Sequence, residues 1–285
     1  MSGRPESSGS PHHPVSGPAP PVVSAAEFAR WNEEMAARFD PQAFHDHPSP
    51  LVRHIERMRV RALGRLLRPR PGERLIEVGC GPGDVLLALA RTAGAGQARS
   101  LLGLDLSPAL LSRARQRLGP GVTLLRGNAE GLPLATGSLD GAVCSEMLEH
   151  TLRPEEVLRE LARVLRPGGR VVVSIPEEER INRLKQRICA WGLGRLLGLT
   201  PAGERRPPGL PAAADRMPVG SGQDAPGGAL PGYRMARRMD DAWHLHAFSL
   251  QLLRQHTPPG LRWARVVSIP SLLLPLRRVV LMVRS

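Results

Sequence analysis

The chain of 285 residues lacks the features that mark several common protein classes. Its three cysteines have no close pairing, which gives neither a disulfide framework nor a zinc site and suits a reducing cytoplasm. No apolar run reaches the roughly 18 residues that a membrane helix needs, and residues 1–24 lack the charged start and apolar block of a signal peptide. We therefore expect a cytoplasmic protein, and its 41% hydrophobic residues are enough for one sizeable core.

Aromatic residues and lysine are also scarce. Aromatics make up 3% of the chain, and Lys185 is its only lysine. The formal net charge is nevertheless +13, and residues 181–285 carry 16 basic side chains against five acidic ones. Such a basic segment is compatible with an anionic acceptor, a membrane surface or RNA. Because arginine-dominated usage is typical of a GC-rich bacterial genome and stacking side chains are few, nucleic acid is the less favoured partner.

The most informative segment runs from Leu75 to Asp84 and reads LIEVGCGPGD. Its apolar start is typical of a parallel strand covered on both faces, where Glu77 is costly to bury unless it meets a ligand. Gly79, Gly81 and Gly83 remove the β-carbons that would hold a ligand away from the backbone. A dinucleotide site needs a glycine where Asp84 stands, and an acid there would repel a pyrophosphate. The segment therefore predicts a nucleotide-type cofactor other than NAD.

This segment resembles the first motif of the class I methyltransferases that use S-adenosylmethionine, E/D-x-G-x-G-x-G, and matches it at Glu77, Gly79, Gly81 and Gly83. The resemblance continues from residue 71 to residue 176. It implies an α/β fold with a doubly wound, seven-stranded, mostly parallel sheet of the Rossmann-like type. It also implies S-adenosylmethionine as the cofactor, a helical cap at the N-terminal side and an inserted lid.

The resemblance implies roles for the ends of the next strands. The strand Leu101–Asp105 ends in an acid about 20 residues after the glycines, where it can bind both ribose hydroxyls, with Leu106 beside the adenine. The turn after the third strand holds the adenine edge in this family, and Asn128 stands there in place of the usual Asp. Ser145 begins the segment beside the methionine tail and the acceptor. The predicted cofactor-binding residues are Glu77, Gly79, Cys80, Gly81, Gly83, Asp105, Leu106, Asn128, Ala129, Glu130 and Ser145.

Plainer interpretations of these residues stay open. Glu77 and Asp105 can be read as cap or turn acids, although two acids ending successive buried strands are unusual for that role. Asn128 alone is typical of a turn, and Cys80 is most simply a small apolar filler.

The remaining punctuation predicts further elements. Pro154 begins a helix that passes Arg163 and Arg166 and stops at Pro167-Gly168-Gly169. The fifth strand is Arg170–Pro176, a further helix is Leu250–Gln255, and Trp263–Ile269 with Arg278–Val283 form an antiparallel pair that closes the sheet.

These elements divide the chain into five parts: a disordered tail (1–24), a helical cap (25–70) with helices Phe28–Phe39 and Leu51–Leu67, the S-adenosylmethionine-binding core (71–180), a lid or insertion (181–242) and a final part that completes the sheet (243–285). Between the cap helices, His45 and His47 are interpreted as turn or pocket residues, and no metal site is predicted. Residues 181–199 favour a lid helix with Trp191, Leu193, Leu196 and Leu197 on its apolar side, and peripheral membrane contact is the alternative.

The predicted function is methyl transfer to a small-molecule acceptor, with O-methylation favoured and N- or C-methylation next. Transfer from a sulfonium is an in-line displacement that needs the acceptor held in line and water excluded. His150 and His246 are the catalytic candidates because histidine can take a proton from a hydroxyl near neutral pH; the alternative is that both are structural. RNA or protein methylation and a non-catalytic cofactor-binding scaffold are the alternative functions.

Overall fold

The computed structural model describes residues 24–38, 40–91, 100–192, 244–246, 248–271 and 275–285. Residues 1–23 of the predicted tail, most of the predicted insertion, and Phe39, Leu193, Leu196 and Leu197 lie outside the described residues. The helices are α1 (Ala25–Arg38), α2 (Pro50–Leu67), α3 (Asp84–Ala90), α4 (Pro108–Leu118), α5 (Pro154–Val164), α6 (Glu178–Ala190) and α7 (Leu250–His256), with 3-10 helices at Pro41–Phe44 and Leu148–His150. The strands are β1 (Arg74–Val78), β2 (Ser100–Asp105), β3 (Val122–Arg126), β4 (Leu139–Ser145), β5 (Leu165–Pro176), β6 (Leu261–Pro270) and β7 (Pro275–Arg284).

The strands form one seven-stranded sheet in the order β3-β2-β1-β4-β5-β7-β6. The first five strands in this order pair in parallel, whereas β7 runs antiparallel to both β5 and β6. The predicted fold class and the predicted antiparallel closure are therefore confirmed. None of the described helices is both long and apolar enough to cross a membrane.

Alternation along β1 explains why helices cover both faces of the sheet. Leu75 belongs to the apolar cluster under α2 and α3, whereas Ile76 and Val78 belong to the cluster under α5 and α7. Successive side chains of a strand point to opposite faces, so a run that is apolar on both faces needs cover on both. The same alternation places Glu77 on the side of α2 and α3.

Helix α1 covers the sheet edge where the strands of the core end. Phe28, Trp31 and Met35 pack in a separate apolar cluster with Leu110 of α4 and with Leu245. The two helices expected within residues 25–70 are thus present, beginning at Ala25 and Pro50.

The predicted end of the helix that starts at Pro154 is wrong. α5 ends at Val164, and Leu165 already pairs with Leu139 of β4, so residues 165–169 extend β5 instead of the helix. Leu165 is fully buried in the sheet cluster, Pro167 has no N–H for a helical bond, and Gly168 has a left-handed φ of 75°. Burial of Leu165 against the sheet therefore ends the helix earlier than the glycine pair indicates.

The helix expected at 181–199 is also placed differently at both ends. α6 begins at Glu178 and ends at Ala190, and Trp191 follows it with 72% of its side chain exposed. The lid and membrane interpretations of the rest of this segment fall on residues outside the described ranges.

Gly103 offers a test of the packing between β2 and its neighbours. A Cβ at Gly103 would lie 2.6 Å from Leu86 Cδ1 and 2.9 Å from Leu124 Cδ2. We expect Gly103→Ala to lower the free energy of unfolding by about 1–3 kcal/mol, because both leucines must shift in a packed interior. Urea unfolding measures this, with Gly131→Ala as the control because a Cβ there meets nothing within 4 Å. Equal unfolding midpoints for both variants would contradict the packing described.

Candidate functional site

Three strand ends meet at one edge of the sheet. Val78 of β1 pairs with Leu104 of β2 on one side and with Cys144 of β4 on the other. The residues that follow, Gly79, Asp105 and Ser145, therefore lie at the same level. The chain passes from β1 to β2 and β3 on one side, and then crosses to β4 on the other side of β1. The strand order reverses at this point, and open α/β sheets bind ligands at such an edge.

The glycine loop between β1 and α3 is held by backbone bonds to the neighbouring strand. The N–H groups of Gly79 and Cys80 both donate to the Leu104 carbonyl, at 2.8 and 3.0 Å. Gly79 and Gly83 have positive φ, and a Cβ on them would meet Met147 at 2.3 Å and Leu118 at 2.8 Å. Gly81 also has a positive φ, of 50°, but a Cβ there meets nothing within 4 Å. The loop is thus packed at its two ends and open at its centre.

Glu77 lies directly below this loop in the interior. Glu77 is 2% exposed, and its Oε2 has no hydrogen-bond partner among the described residues. Burial raises the pKa of Glu77 well above its usual value, and the nearby Arg59 offsets part of this. A buried carboxylate oxygen without a donor is costly, so this atom marks a place where a donor from a ligand would stabilise the site.

Asp105 ties the glycine loop to the end of β2. Its Oδ2 accepts from the Gly81 N–H at 2.8 Å, and its Oδ1 accepts from the Ser107 N–H at 2.9 Å. Burial raises the pKa of Asp105, while these backbone donors act in the opposite direction. Each carboxylate oxygen can accept a further bond, so Asp105 can still bind a ligand hydroxyl. Leu106, the next residue, packs against the cluster formed by α1 and α4.

The third turn shows the turn chemistry that its composition favours. The amide oxygen of Asn128 accepts from the Glu130 N–H at 3.0 Å, and Ala129 is buried. The Glu130 carboxylate binds the N–H and the Nε of Arg153, both at 2.9 Å, and so connects this turn to the start of α5. The adenine role of Asn128, Ala129 and Glu130 stays a prediction.

Buried charged side chains surround Ser145, and the sequence analysis did not predict them. Arg59 of α2 donates from Nη1 to the Ser145 hydroxyl and from Nε to Glu56 at 2.8 Å. Arg277 of β7 binds the other oxygen of Glu56 at 3.3 Å. Although burial acts to raise it, Arg59 and Arg277 lower the pKa of Glu56 to about 2. An arginine inside the buried stripe of α2 is the only sequence signal for this cluster.

Glu146 is held in an unusual conformation at the end of β4. Its φ is 49°, in the left-handed region that residues with a β-carbon seldom adopt. The Ser174 hydroxyl donates to its Oε1 at 3.0 Å, and Arg277 Nε lies 2.9 Å from its Oε2. Such strain persists where surrounding contacts fix it, which is common beside functional sites.

The two predicted catalytic histidines have different surroundings. The ring Nε2 of His246 lies 2.9 Å from the Thr151 carbonyl oxygen, so this nitrogen carries a proton and donates it. Burial lowers the pKa of His246, which keeps the ring neutral. The ring of His150 lies edge to face with that of His244, with 4.7 Å between the centroids. The structure therefore ties His246 to the backbone, and the catalytic role of both histidines stays a prediction.

His47, between the two cap helices, makes hydrogen bonds within its own turn. The Ser49 N–H donates to His47 Nδ1 at 3.0 Å, and Arg53 binds the His47 and Pro48 carbonyls. These bonds agree with the interpretation of His47 as a turn residue.

Burial raises the pKa of the Cys80 thiol, so Cys80 is a neutral, apolar part of the glycine loop.

Part of the chain is similar in sequence to known methyltransferases. Residues 76–173 match the family described as a methyltransferase domain. The chain is 35% identical over 124 residues to the ubiquinone/menaquinone biosynthesis C-methyltransferase UbiE of Roseobacter denitrificans, which covers 42% of this chain and 48% of that protein. It is 36% identical over 124 residues to an O-methyltransferase of Pyrenophora dematioidea, covering 42% of this chain and 45% of that protein. The chain thus spans less than half the length of these relatives.

A solved structure shares the fold over most of the chain. The N-methyltransferase NodS of Bradyrhizobium japonicum, in complex with S-adenosyl-L-homocysteine, superposes with a TM-score of 0.54. The match covers 90% of this chain and 98% of NodS at 14% identity, a likeness that shows a common fold.

Proposed function

We propose that the chain transfers a methyl group from S-adenosylmethionine to a small-molecule acceptor, because residues 76–173 match a methyltransferase domain and the sheet has the strand order described above. The observation that carries the proposal is the buried Glu77 carboxylate, whose Oε2 has no donor among the described residues. Glu77 stands two residues before the first glycine of the loop, and Gly81 at the centre of the loop leaves space for a ligand.

The residues of this edge fit the cofactor. Glu77 suits a cationic amino group, Asp105 suits the ribose hydroxyls, and the bare backbone at Gly81 allows close approach. When bound, S-adenosylmethionine supplies an electrophilic methyl group that an acceptor takes by in-line displacement. The chain holds the acceptor, orients it and excludes water at this edge of the sheet.

Arg59 extends the proposed cofactor site beyond the residues expected from the sequence. It lies close enough to Glu77 to lower the pKa of that carboxyl, and its Nη1 binds Ser145 at the end of β4. A guanidinium next to the proposed amino-group site suits the carboxylate of the same amino-acid tail. We therefore assign Arg59 to the carboxylate and Glu77 to the amino group.

For the acceptor we propose a hydroxyl, with carbon or nitrogen acceptors as the alternatives. The names of the two relatives above describe methylation of carbon and of oxygen, so the comparisons support both kinds of atom. His150 favours a hydroxyl, because an imidazole beside the acceptor can take or direct a hydroxyl proton. His246 is proposed as a positioning residue that holds the backbone at Thr151.

Gly81→Ala tests the cofactor site. The added β-carbon would enter the open space at the centre of the loop, so binding of S-adenosylhomocysteine should fall by at least about tenfold in calorimetric titration. Gly72→Ala is the matched control, because Gly72 also has a positive φ, of 80°, and its Cβ would also meet nothing within 4 Å. Both variants carry a comparable backbone strain of roughly 1–3 kcal/mol. Wild-type protein that binds NADH and not S-adenosylhomocysteine would overturn the proposed cofactor.

Arg59→Gln tests the assignment of the carboxylate. We expect the variant to bind S-adenosylhomocysteine about 10–100-fold more weakly, because a charged hydrogen bond is lost. Its affinity for methylthioadenosine, which lacks the amino-acid tail, should stay close to that of the wild type. Arg277→Gln removes a cation of the same buried cluster without a contact to Ser145, and it controls for disturbance of that cluster. An equal loss for both ligands in Arg59→Gln would show that the effect is only structural.

His150→Ala and His246→Ala test the assignment of the histidines. With an acceptor found by screening hydroxyl, amine and activated-carbon compounds for labelled methyl uptake, we expect His150→Ala to lower kcat by about 10²-fold or more. His246→Ala should lower the melting temperature, because a buried backbone contact is lost, with a smaller change in kcat. Nearly full turnover in both variants would exclude a proton-transfer role for either residue.

A further inference from the structure

Three side chains with metal-ligating atoms come together beside the end of β4. Glu149, His150 and His244 each offer one ligand atom, and these atoms lie within 4.8 Å of one another. Within the described part of the chain, no other group of three such residues meets this criterion. Glu149 and His150 belong to the 3-10 helix that follows β4, whereas His244 comes from a segment almost a hundred residues later. Tertiary folding, and not sequence proximity, assembles the trio.

Backbone hydrogen bonds fix the two segments to each other. The Glu149 carbonyl accepts from the N–H groups of Leu245 and His246, at 2.7 and 3.2 Å. The ring of His246 adds its bond to the Thr151 carbonyl. Leu245 is buried against α1 and α4, which anchors the later segment further. The residues next to each proposed ligand are therefore held in place, as a preorganised site requires.

Burial of Glu149 favours a cation at this point. The residue is 1% exposed, and a carboxylate this deep in the interior needs compensating positive charge. Arg277 supplies part of it, since the Glu149 charge contributes to the raised pKa of that guanidinium. A divalent ion between the carboxylate and the two imidazoles would add positive charge next to this carboxylate.

The donor set limits the choice of ion. Imidazole nitrogen suits Zn²⁺, Fe²⁺ and related first-row ions, whereas Mg²⁺ and Ca²⁺ prefer oxygen ligands throughout. With bonds of about 2.0–2.2 Å, two donors on one ion lie about 3–4 Å apart. The three ligand atoms lie within 4.8 Å of one another, so side-chain rotations that move them by about 1 Å would complete the site. Three protein ligands leave at least one position for a further ligand, the arrangement of catalytic and not of structural sites.

We propose that Glu149, His150 and His244 bind one divalent first-row transition-metal ion with an open coordination position. The site lies just beyond the end of β4, where the acceptor is expected. A bound ion lowers the pKa of a coordinated hydroxyl, so the proposed acceptor is a compound that binds the ion through a hydroxyl oxygen. This choice of acceptor rests on the proposed function, whereas metal binding itself does not. With the ion bound, His150 directs the hydroxyl proton through the ion and does not take it directly, so the loss of turnover expected for His150→Ala is unchanged.

The test is titration of the chelator-treated full chain with Co²⁺, followed by displacement with Zn²⁺. We expect one equivalent of Co²⁺ to give the visible absorption of a nitrogen- and oxygen-ligated ion, and Zn²⁺ to remove it. His150→Ala and His244→Ala should each weaken binding at least about tenfold. Glu149→Gln keeps the side-chain shape and should also weaken binding, which guards against a variant that merely misfolds. Excess Mg²⁺ should not compete.

His256→Ala is the matched control, because His256 Nδ1 lies 3.6 Å from Glu155 and forms a second His–Glu pair away from the trio. It should bind Co²⁺ as the wild type does. Absence of stoichiometric binding, or an equal loss in His256→Ala, would overturn the proposed site. A parallel titration with S-adenosylhomocysteine separates the two proposals. Metal binding without S-adenosylhomocysteine binding supports the ion site and contradicts the methyltransferase function. S-adenosylhomocysteine binding without metal binding supports the methyltransferase function and contradicts the ion site.

Discussion

β1 pairs in parallel with β2 on one side and with β4 on the other. This central position determines where the glycine loop, Asp105 and Ser145 lie. The connection after β1 leads to β2, whereas the connection after β3 leads to β4 on the other side, and such a reversal opens a crevice beyond the strand ends. The glycine loop, Asp105 and Ser145 all face this crevice because the register aligns Val78 with Leu104 and Cys144.

The acidic side chains buried at this edge are largely compensated by buried arginines. Arg59 and Arg277 balance Glu56 and Glu146, so the cluster between α2, β4 and β7 is close to neutral. Removing one partner of such a cluster costs several kcal/mol because it leaves an uncompensated buried charge. Glu77 differs from its neighbours, since one of its oxygens has no donor among the described residues. The proposed cofactor amino group and the proposed metal ion both act on acids that the fold keeps at this edge.

Many of the expected cofactor residues also hold the loops together. Asp105 binds the Gly81 N–H, Asn128 closes its own turn, and Glu130 fixes the start of α5 through Arg153. A residue that preorganises a loop and one that touches a ligand can be the same residue, because carboxylate and amide oxygens accept more than one bond. The plain turn interpretation and the binding interpretation of these positions are therefore compatible.

The sequence by itself determined the parts that depend on local pattern. Apolar strands and the glycine spacing after Val78 were predictable, because strand periodicity and glycine conformation act over a few residues. The antiparallel closure joins segments about a hundred residues apart and was expected together with the fold that the resemblance implies. Tertiary structure decided where α5 ends, since the burial of Leu165 against β4 outweighs the local stop signal at Gly168 and Gly169. It also decided the contacts of Arg59 with Ser145, of Glu56 with Arg277, and of Glu149 with the segment of His244. These pairs are 86, 221 and nearly a hundred residues apart in the chain, and no local pattern encodes which distant side chains will share one buried site.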